Sequence, residues 1–384
     1  MRADLRGFEE AYALQQARFP AAEPGWQPVH TVYVPADRFT AGTVAAWGDQ
    51  ASSLVRAHLA GPGELAEVFG LPGGPASGVH ERVVRKLASE PVEDLRVDFE
   101  DGYGVRPDPV EDGHVEQAAE AVAALHAAGA LPRRWGVRVK SFADGDPDRS
   151  VRTLDGFVKG VVARAGELPG GFVVTFPKVL MEAYLGQFAA VLARLEAGLG
   201  TRLGAPLRFE MQVEAPQTLH FLRGDLPQAL DGRLAAAHFG VFDYTAALGL
   251  PPHEQRLDHP ACDHARHVMQ TAFAGTGVEL SDGSLAASPV SDREEDVHTL
   301  WRRHAELVRH SLRHGYYQGW DMHPSHLVSR FATVYAYHLA RYDSYRERVS
   351  AWEQRREAGG GVMDEPATIR TLAAALRRAD LALP

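Results

Sequence analysis

The chain has 384 residues, 45% hydrophobic and 23% charged, with a formal net charge of −10, and it carries no basic run interleaved with aromatics, so nucleic acid is excluded as a partner. Its single cysteine, Cys262, excludes an internal disulfide and a multi-thiolate metal centre, leaving oxygen or histidine as the ligands of any metal. No stretch approaches the roughly 18 apolar residues of a membrane span, and the charged opening MRADLRGFEEAY is unlike a signal peptide, so a cytoplasmic location away from membranes is expected.

In chain order, a helical segment is expected over residues 1–27. Eight short apolar runs rich in β-branched residues follow, separated by stretches rich in Ala, Leu, Arg and Glu. They are VHTVYVP (29–35), LRVDFED (95–101), WGVRVKS (135–141), FVVTFPKV (172–179), LRFEMQVEAP (207–216), LAAAHFGVFDY (234–244), GVELSDGSLAAS (277–288) and GYYQGWDMHP (315–324). Regular alternation of strand and helix patterns predicts parallel βα units, and eight of them predict an α/β fold, the TIM (β/α)8 barrel, over residues 28–330. The long segment between the first two runs, at about 40–90, reads as an insertion and an irregular excursion around GLPGGPASG (70–78). That loop matches neither phosphate-binding glycine fingerprint. Residues 331–384 read as helices on either side of a GGG hinge (359–361), a C-terminal extension long enough to act as a lid over a barrel mouth or to reach a neighbouring subunit.

Polar residues gather near the strand ends, where such a barrel carries its chemistry. Glu214 and Asp243 each close an apolar run; they either share a hard cation such as Mg²⁺ or Mn²⁺ or pair with bases at the barrel top. Glu210 and Glu214 fall on one face of the fifth run with Gln212 between them. At the usual rise Glu210 lies about 13 Å deeper, the position of a packing-layer acid paired with a buried base. Asp98, Glu100 and Asp101 crowd three acids at the second run, either a solvated loop end or a group that orients Arg138 or metal-bound water. Arg138, on a strand that reads as buried, needs those acids or an anionic substrate. Lys178 ends the fourth run, and His323, after the eighth, is an acid/base or a ring that hydrogen-bonds the barrel top. DHPACDHARH (258–267) matches no zinc spacing and is expected to be a surface helix. Asp364, taken alone, is a helix N-cap ahead of Pro366. No G-x-S-x-G elbow supports a serine hydrolase.

Taken in order, VYVPADRF, LRVDFEDG, GVRVKSF, FPKV, MQVEAPQTL, HFGVFDYTAALGL, GWDMHPSHL and GGGVMDEPATIRTLAAALRRA resemble the HpcH/HpaI aldolase and citrate lyase β-subunit family of phosphoenolpyruvate/pyruvate-binding barrels. The resemblance implies a carbon–carbon lyase in which Glu214 and Asp243 hold Mg²⁺ (or Mn²⁺) and Gln212 sits beside it. Backbone amides around Gly240, Val241, Phe242 and Asp243 would take the substrate carboxylate, Arg138 would stabilise an enolate oxygen, and Asp364 would be a base supplied by a neighbouring subunit. Asp98, Glu100, Asp101, Lys178 and His323 would support this set from behind. The likeness further implies a homo-oligomer, trimer or hexamer, acting on a small carboxylate. Asp101 stands where the aldolase branch has histidine, which favours the lyase branch. Val29 and His30 stand where coenzyme A-using members often carry arginine, so a coenzyme A thioester substrate does not follow. Malate synthase-like, malyl-CoA lyase-like or thioesterase-like chemistry on an acyl-CoA is the alternative within enzymes, and a non-catalytic 2-oxo acid-binding protein is the alternative outside them.

Overall fold

The computed structural model describes residues 5–20, 23–71, 76–200, 203–354 and 365–383. Eight strands, β1 (His30–Pro35), β2 (Asp94–Asp98), β3 (Arg134–Arg138), β4 (Phe172–Phe176), β5 (Phe209–Val213), β6 (Leu234–Phe239), β7 (Glu279–Ser284) and β8 (Gln318–Asp321), pair in chain order and close into a parallel barrel. Each falls on one of the eight apolar runs of the sequence, β2 and β3 starting one residue before theirs. Alternation decides what each face does. Leu95 and Val97, Trp135 and Val137, Val174 and Phe176, and Phe209, Met211 and Val213 are buried in the hydrophobic core, on the strand positions that point outward under the helices.

The inward positions are polar. Arg96 donates through Nε and Nη2 to the two carboxylate oxygens of Glu210 at 2.9 and 2.7 Å, and also binds Asp94. Thr175 donates to Glu210, and Thr31 donates to Asp94 at 2.8 Å. Burial alone would raise Glu210, but Arg96 and His238 hold its carboxyl well below the usual range. Glu210 is thus the buried, base-paired acid that its depth on the strand implied. Gly136 opposes Val173 across the sheet, and a Cβ there would lie 1.7 Å from the Val173 carbonyl oxygen. Only glycine lets β3 and β4 approach this closely.

Between β1 and β2 the expected insertion carries helices at Thr43–His58, Pro62–Phe69 and Ala76–Ser89, and residues 72–75 of GLPGGPASG lie outside the described residues. Buried Val79, Val83 and Leu87 recur at one helical turn, which overrides the glycine- and proline-rich start of the segment. Helix Pro324–Glu353 is buried over its first half, through Ala336. Helix Pro366–Ala382 packs on it, with Arg378 lying 4.8 Å over the Tyr317 ring and Arg377 donating to the Pro24 carbonyl at 2.7 Å. Tyr317 immediately precedes β8, so this helix sits at the N-terminal end of the strands. Helix Pro366–Ala382 therefore does not lie over its own barrel mouth, while residues 355–364 of the expected lid, with the GGG hinge and Asp364, lie outside the described residues. No helix among the described residues is long and apolar enough to cross a membrane.

Outside the barrel wall Asp321 is gripped by Arg330, with His30 Nδ1 at 3.3 Å and His304 Nε2 at 3.2 Å. His326 bonds the Ala287 carbonyl through Nε2 at 2.9 Å and accepts from the Met322 amide at 3.3 Å. Burial pushes this imidazole down to about 3.

Two outcomes follow from these buried groups. Arg96→Met strands Glu210 and Asp94, and should cost about 3–5 kcal/mol in urea-unfolding free energy. His326 binds its proton less readily folded than unfolded, so its contribution is complete above the ordinary value of 6.5 and is lost as pH falls toward about 3. Unfolding free energy measured across that window should fall less steeply for His326→Gln than for the parent.

Candidate functional site

The side chains singled out near the strand ends converge at the C-terminal end of the barrel. Arg138 closes β3 and is paired in bidentate fashion with Asp98 at the end of β2, Nε to Oδ1 at 2.7 Å and Nη2 to Oδ2 at 2.8 Å. The backbone amides of Glu100 and Gly102 also donate to Asp98, at 2.9 and 3.1 Å, so this carboxylate is saturated. Nη1 of Arg138 faces Glu100 at 3.2 Å and Gln212 at 3.4 Å. Burial would lower this arginine, but Asp98 and then Glu100 hold it well above its ordinary value. Arg138 is a fixed cation whose fork is set from behind.

Lys178 is the hinge of the site. Pro177 ends the run of β4, and Lys178 then adopts φ 48°, a left-handed conformation rare outside glycine. Its amide donates to Glu214 Oε1 at 2.6 Å. Its ammonium is paired with Glu100 and with Asp101, the latter at 2.5 Å, and lies 3.7 Å from Asp243. Against burial, Glu100 and Asp101 raise the lysine above its ordinary value. Asp101 is exposed, and its carboxyl is lowered by the Lys178 bond in spite of partial burial. Glu100 is raised, chiefly by burial.

Glu214, just past β5, is buried, whereas Asp243, in the first turn of helix Val241–Ala247, is half exposed. Burial, followed by the nearby negative charges of Glu100 and Asp243, pushes Glu214 up to about 8, opposed by Arg138 and the Lys178 amide. Five carboxyls (Asp98, Glu100, Asp101, Glu214 and Asp243) thus surround two cations, Arg138 and Lys178. The deficit of positive charge centres on Glu214 and Asp243, the hard-oxygen pair that a divalent cation fits.

Among the expected carboxylate-binding amides, that of Gly240 is already donated to the Val213 carbonyl at 3.0 Å, which removes it from the set. Val241 and Phe242 open a helix, where amides have no intrahelical acceptor. His323 accepts from the Ser325 amide at 3.2 Å as the N-cap of helix Pro324–Glu353, the hydrogen-bonding alternative. Its imidazole is lowered by burial. Asp364 lies outside the described residues.

Two aromatic residues escaped the sequence analysis. The rings of Tyr33 and Trp320 meet at 4.5 Å, tilted by 50°, with the Arg138 guanidinium 4.8 and 5.5 Å from them. They are inward positions of β1 and β8, two residues on from Thr31 and Gln318, and period-two counting along each run would have found them.

A family model described as a domain of unknown function, DUF6986, matches residues 8–381. The chain belongs to this family. No curated protein matches it by sequence. Among solved structures, malate synthase from Haloferax volcanii in a magnesium/glyoxylate complex aligns with a TM-score of 0.50 at 13% identity, covering 91% of this chain and 97% of that one. The same enzyme as a lead(II) complex gives 0.52 at 14% identity over 94% and 90%. CitE from Mycobacterium tuberculosis, with magnesium, acetoacetate and coenzyme A, gives 0.49 at 19% identity over 93% and 99%. At these identities the likeness to malate synthase is one of fold alone.

Gly240 closes the geometry around Glu214. A Cβ there would lie 2.6 Å from Glu214 Cβ and 2.7 Å from Oε2, so Gly240→Ala must displace the carboxylate. Isothermal titration should show divalent-cation affinity reduced at least about tenfold in this variant, with its circular dichroism spectrum unchanged.

Proposed function

We propose that this protein is a Mg²⁺- or Mn²⁺-dependent carbon–carbon lyase that makes or breaks a bond through the enolate of a 2-oxo acid or a related small carboxylate. The observation that carries this reading is the buried Glu214 carboxyl beside Asp243, in a cluster where five acids outnumber two cations. Its ligands would be Glu214 and Asp243. A bound divalent ion would supply positive charge for the carboxylate and carbonyl oxygens of the substrate.

The protein's own groups divide the remaining work. Arg138, held rigid by Asp98, presents fixed positive charge to the oxygen on which negative charge develops, and a preorganised charge of this kind lowers a barrier without reorganising in the reaction. Gln212 offers an amide beside that oxygen, and the open amides of Val241 and Phe242 orient a carboxylate. Tyr33 and Trp320 wall the Arg138 side of the mouth and exclude water there. Lys178 compensates Glu100 and Asp101, and its amide aims Glu214. On the family resemblance, Asp364 would serve in proton transfer at the mouth of another copy of the chain, within a trimer or hexamer.

The test is methyl-proton exchange of pyruvate and other 2-oxo acids in D₂O, followed by NMR after stripping metal and restoring Mg²⁺. Glu214→Gln and Asp243→Asn should each lower the Mg²⁺-dependent rate at least about 10²-fold, equivalent to about 2.7 kcal/mol of barrier. Full exchange in either variant would sink the metal assignment. No exchange by the parent with any 2-oxo acid would shift weight to a binding protein without catalysis.

A further inference from the structure

Three metal-ligating side chains meet where helix Pro260–Phe273 lies beside helix Glu294–Arg313 and its C-cap His314. His310 Nε2 is 2.8 Å and His314 Nε2 3.6 Å from the same oxygen of Asp263. The three ligand atoms all fall within 4.8 Å of one another. A tetrahedral ion bound at about 2.0–2.1 Å sets its ligands about 3.4 Å apart, so the cluster needs only a small adjustment to hold one.

The hydrogen bonding around His314 points to a cation. Its Nδ1 lies 2.9 Å from the His310 carbonyl, which can only accept, so Nδ1 carries the proton. In the neutral ring Nε2 is then a lone pair aimed at a carboxylate oxygen. Two acceptors face each other, and a cation or a proton between them removes the repulsion. A backbone carbonyl fixing the tautomer from behind is also how metal-binding histidines are commonly oriented.

Asp263 is similarly braced. Arg266 donates through Nη1 at 2.7 Å to Oδ1, the oxygen that both histidines face, and is itself tied to Asp282 at 2.9 Å and to the Leu257 carbonyl at 2.6 Å. Against partial burial, the His310 bond and the Arg266 charge hold the Asp263 carboxyl below its ordinary value. The three side chains are each about one-quarter exposed, which leaves an ion a path from solvent. His267, one turn beyond Asp263, is exposed, with its ring 5.4 Å from that of His314, outside the three-residue group itself. The second His/Asp cluster, His304, Asp321 and His326, is of a different kind: Arg330 bonds both oxygens of its carboxylate, whereas Arg266 bonds a single oxygen of Asp263, and both nitrogens of His326 are already bonded.

We propose that Asp263, His310 and His314 form a binding site for one Zn²⁺-type transition-metal ion, completed by His267 or water, that clamps these two helices together. Imidazole with a single carboxylate selects zinc, cobalt or nickel over the magnesium of an all-oxygen site.

The test titrates chelator-stripped, full-length protein with Co²⁺ as the probe, then with Zn²⁺. The expected result is one equivalent of Co²⁺ showing four-coordinate ligand-field bands that Zn²⁺ displaces, together with a Zn²⁺-dependent rise in unfolding temperature. Both should vanish in the His310→Ala/His314→Ala double variant and persist in Asp243→Asn, which separates this site from the barrel mouth. Asp263→Asn, which keeps the side-chain shape, should weaken binding at least about tenfold even if the double variant fails to fold. Co²⁺ affinity in Asp263→Asn equal to the parent's, or a parent protein that shows neither bands nor shift, would overturn the proposal.

Discussion

Two arginines inside the barrel, Arg96 and Arg138, set the terms for everything around them. A guanidinium enclosed by a parallel sheet has no water to turn to, and it stays charged only if carboxylates meet it at hydrogen-bond distance. Arg96 takes Glu210 and Asp94, and Arg138 takes Asp98 and Glu100. The two pairs lie in successive inward layers, since Arg96 and Asp98 are two residues apart on β2. The lower pair is closed on itself, bonded on both carboxylates and sealed by Thr175, Thr31 and Gln318. The upper pair is built on the same plan but opens at the mouth.

That opening separates a structural layer from a reactive one. At the Arg96 level every charge has its partner, and the assembly has nothing left to offer a ligand. One layer higher the acids outnumber the bases, and the surplus collects on Glu214, which burial and its acidic neighbours drive up to about 8. A carboxyl so placed is stabilised by gaining a proton or by gaining a cation. The left-handed turn at Lys178 is what commits the chain to this arrangement, because it aims an amide at Glu214 while sending the ammonium across to Glu100 and Asp101. Strain at one residue thereby couples the ends of β2, β4 and β5.

Much of this was legible in the sequence, for a physical reason. Eight apolar runs with period-two alternation dictate strands, and acids at their ends have nowhere to go but the mouth, so Arg138, Glu214, Asp98 and Asp243 could be named before any coordinates. The separation of Glu210 from Glu214 was also readable, since four residues of strand rise put them in different layers. What stayed hidden depends on partners remote in the chain. Nothing local to Lys178 states that its amide is a ligand-orienting group. The donation of the Gly240 amide to Val213 is set by β5–β6 pairing. The helical character of the first insertion was masked by its glycines and prolines. Likewise DHPACDHARH offered no zinc spacing by itself, because the imidazoles that meet Asp263 come from residues 310 and 314 on another helix.

The placement of the C-terminal helices connects the fold to assembly. Helix Pro324–Glu353 begins at the mouth, with His323 as its cap, and spans about 45 Å at the usual rise, more than the barrel wall needs. Its second half therefore runs beyond the strands' N-terminal ends, and helix Pro366–Ala382 returns along it to rest on Tyr317 and Pro24. A monomer gains little at its own mouth from so long an excursion. On the proposed function, the barrel of one copy would hold the substrate and the tail of another would complete it, so catalysis would depend on the contact between them.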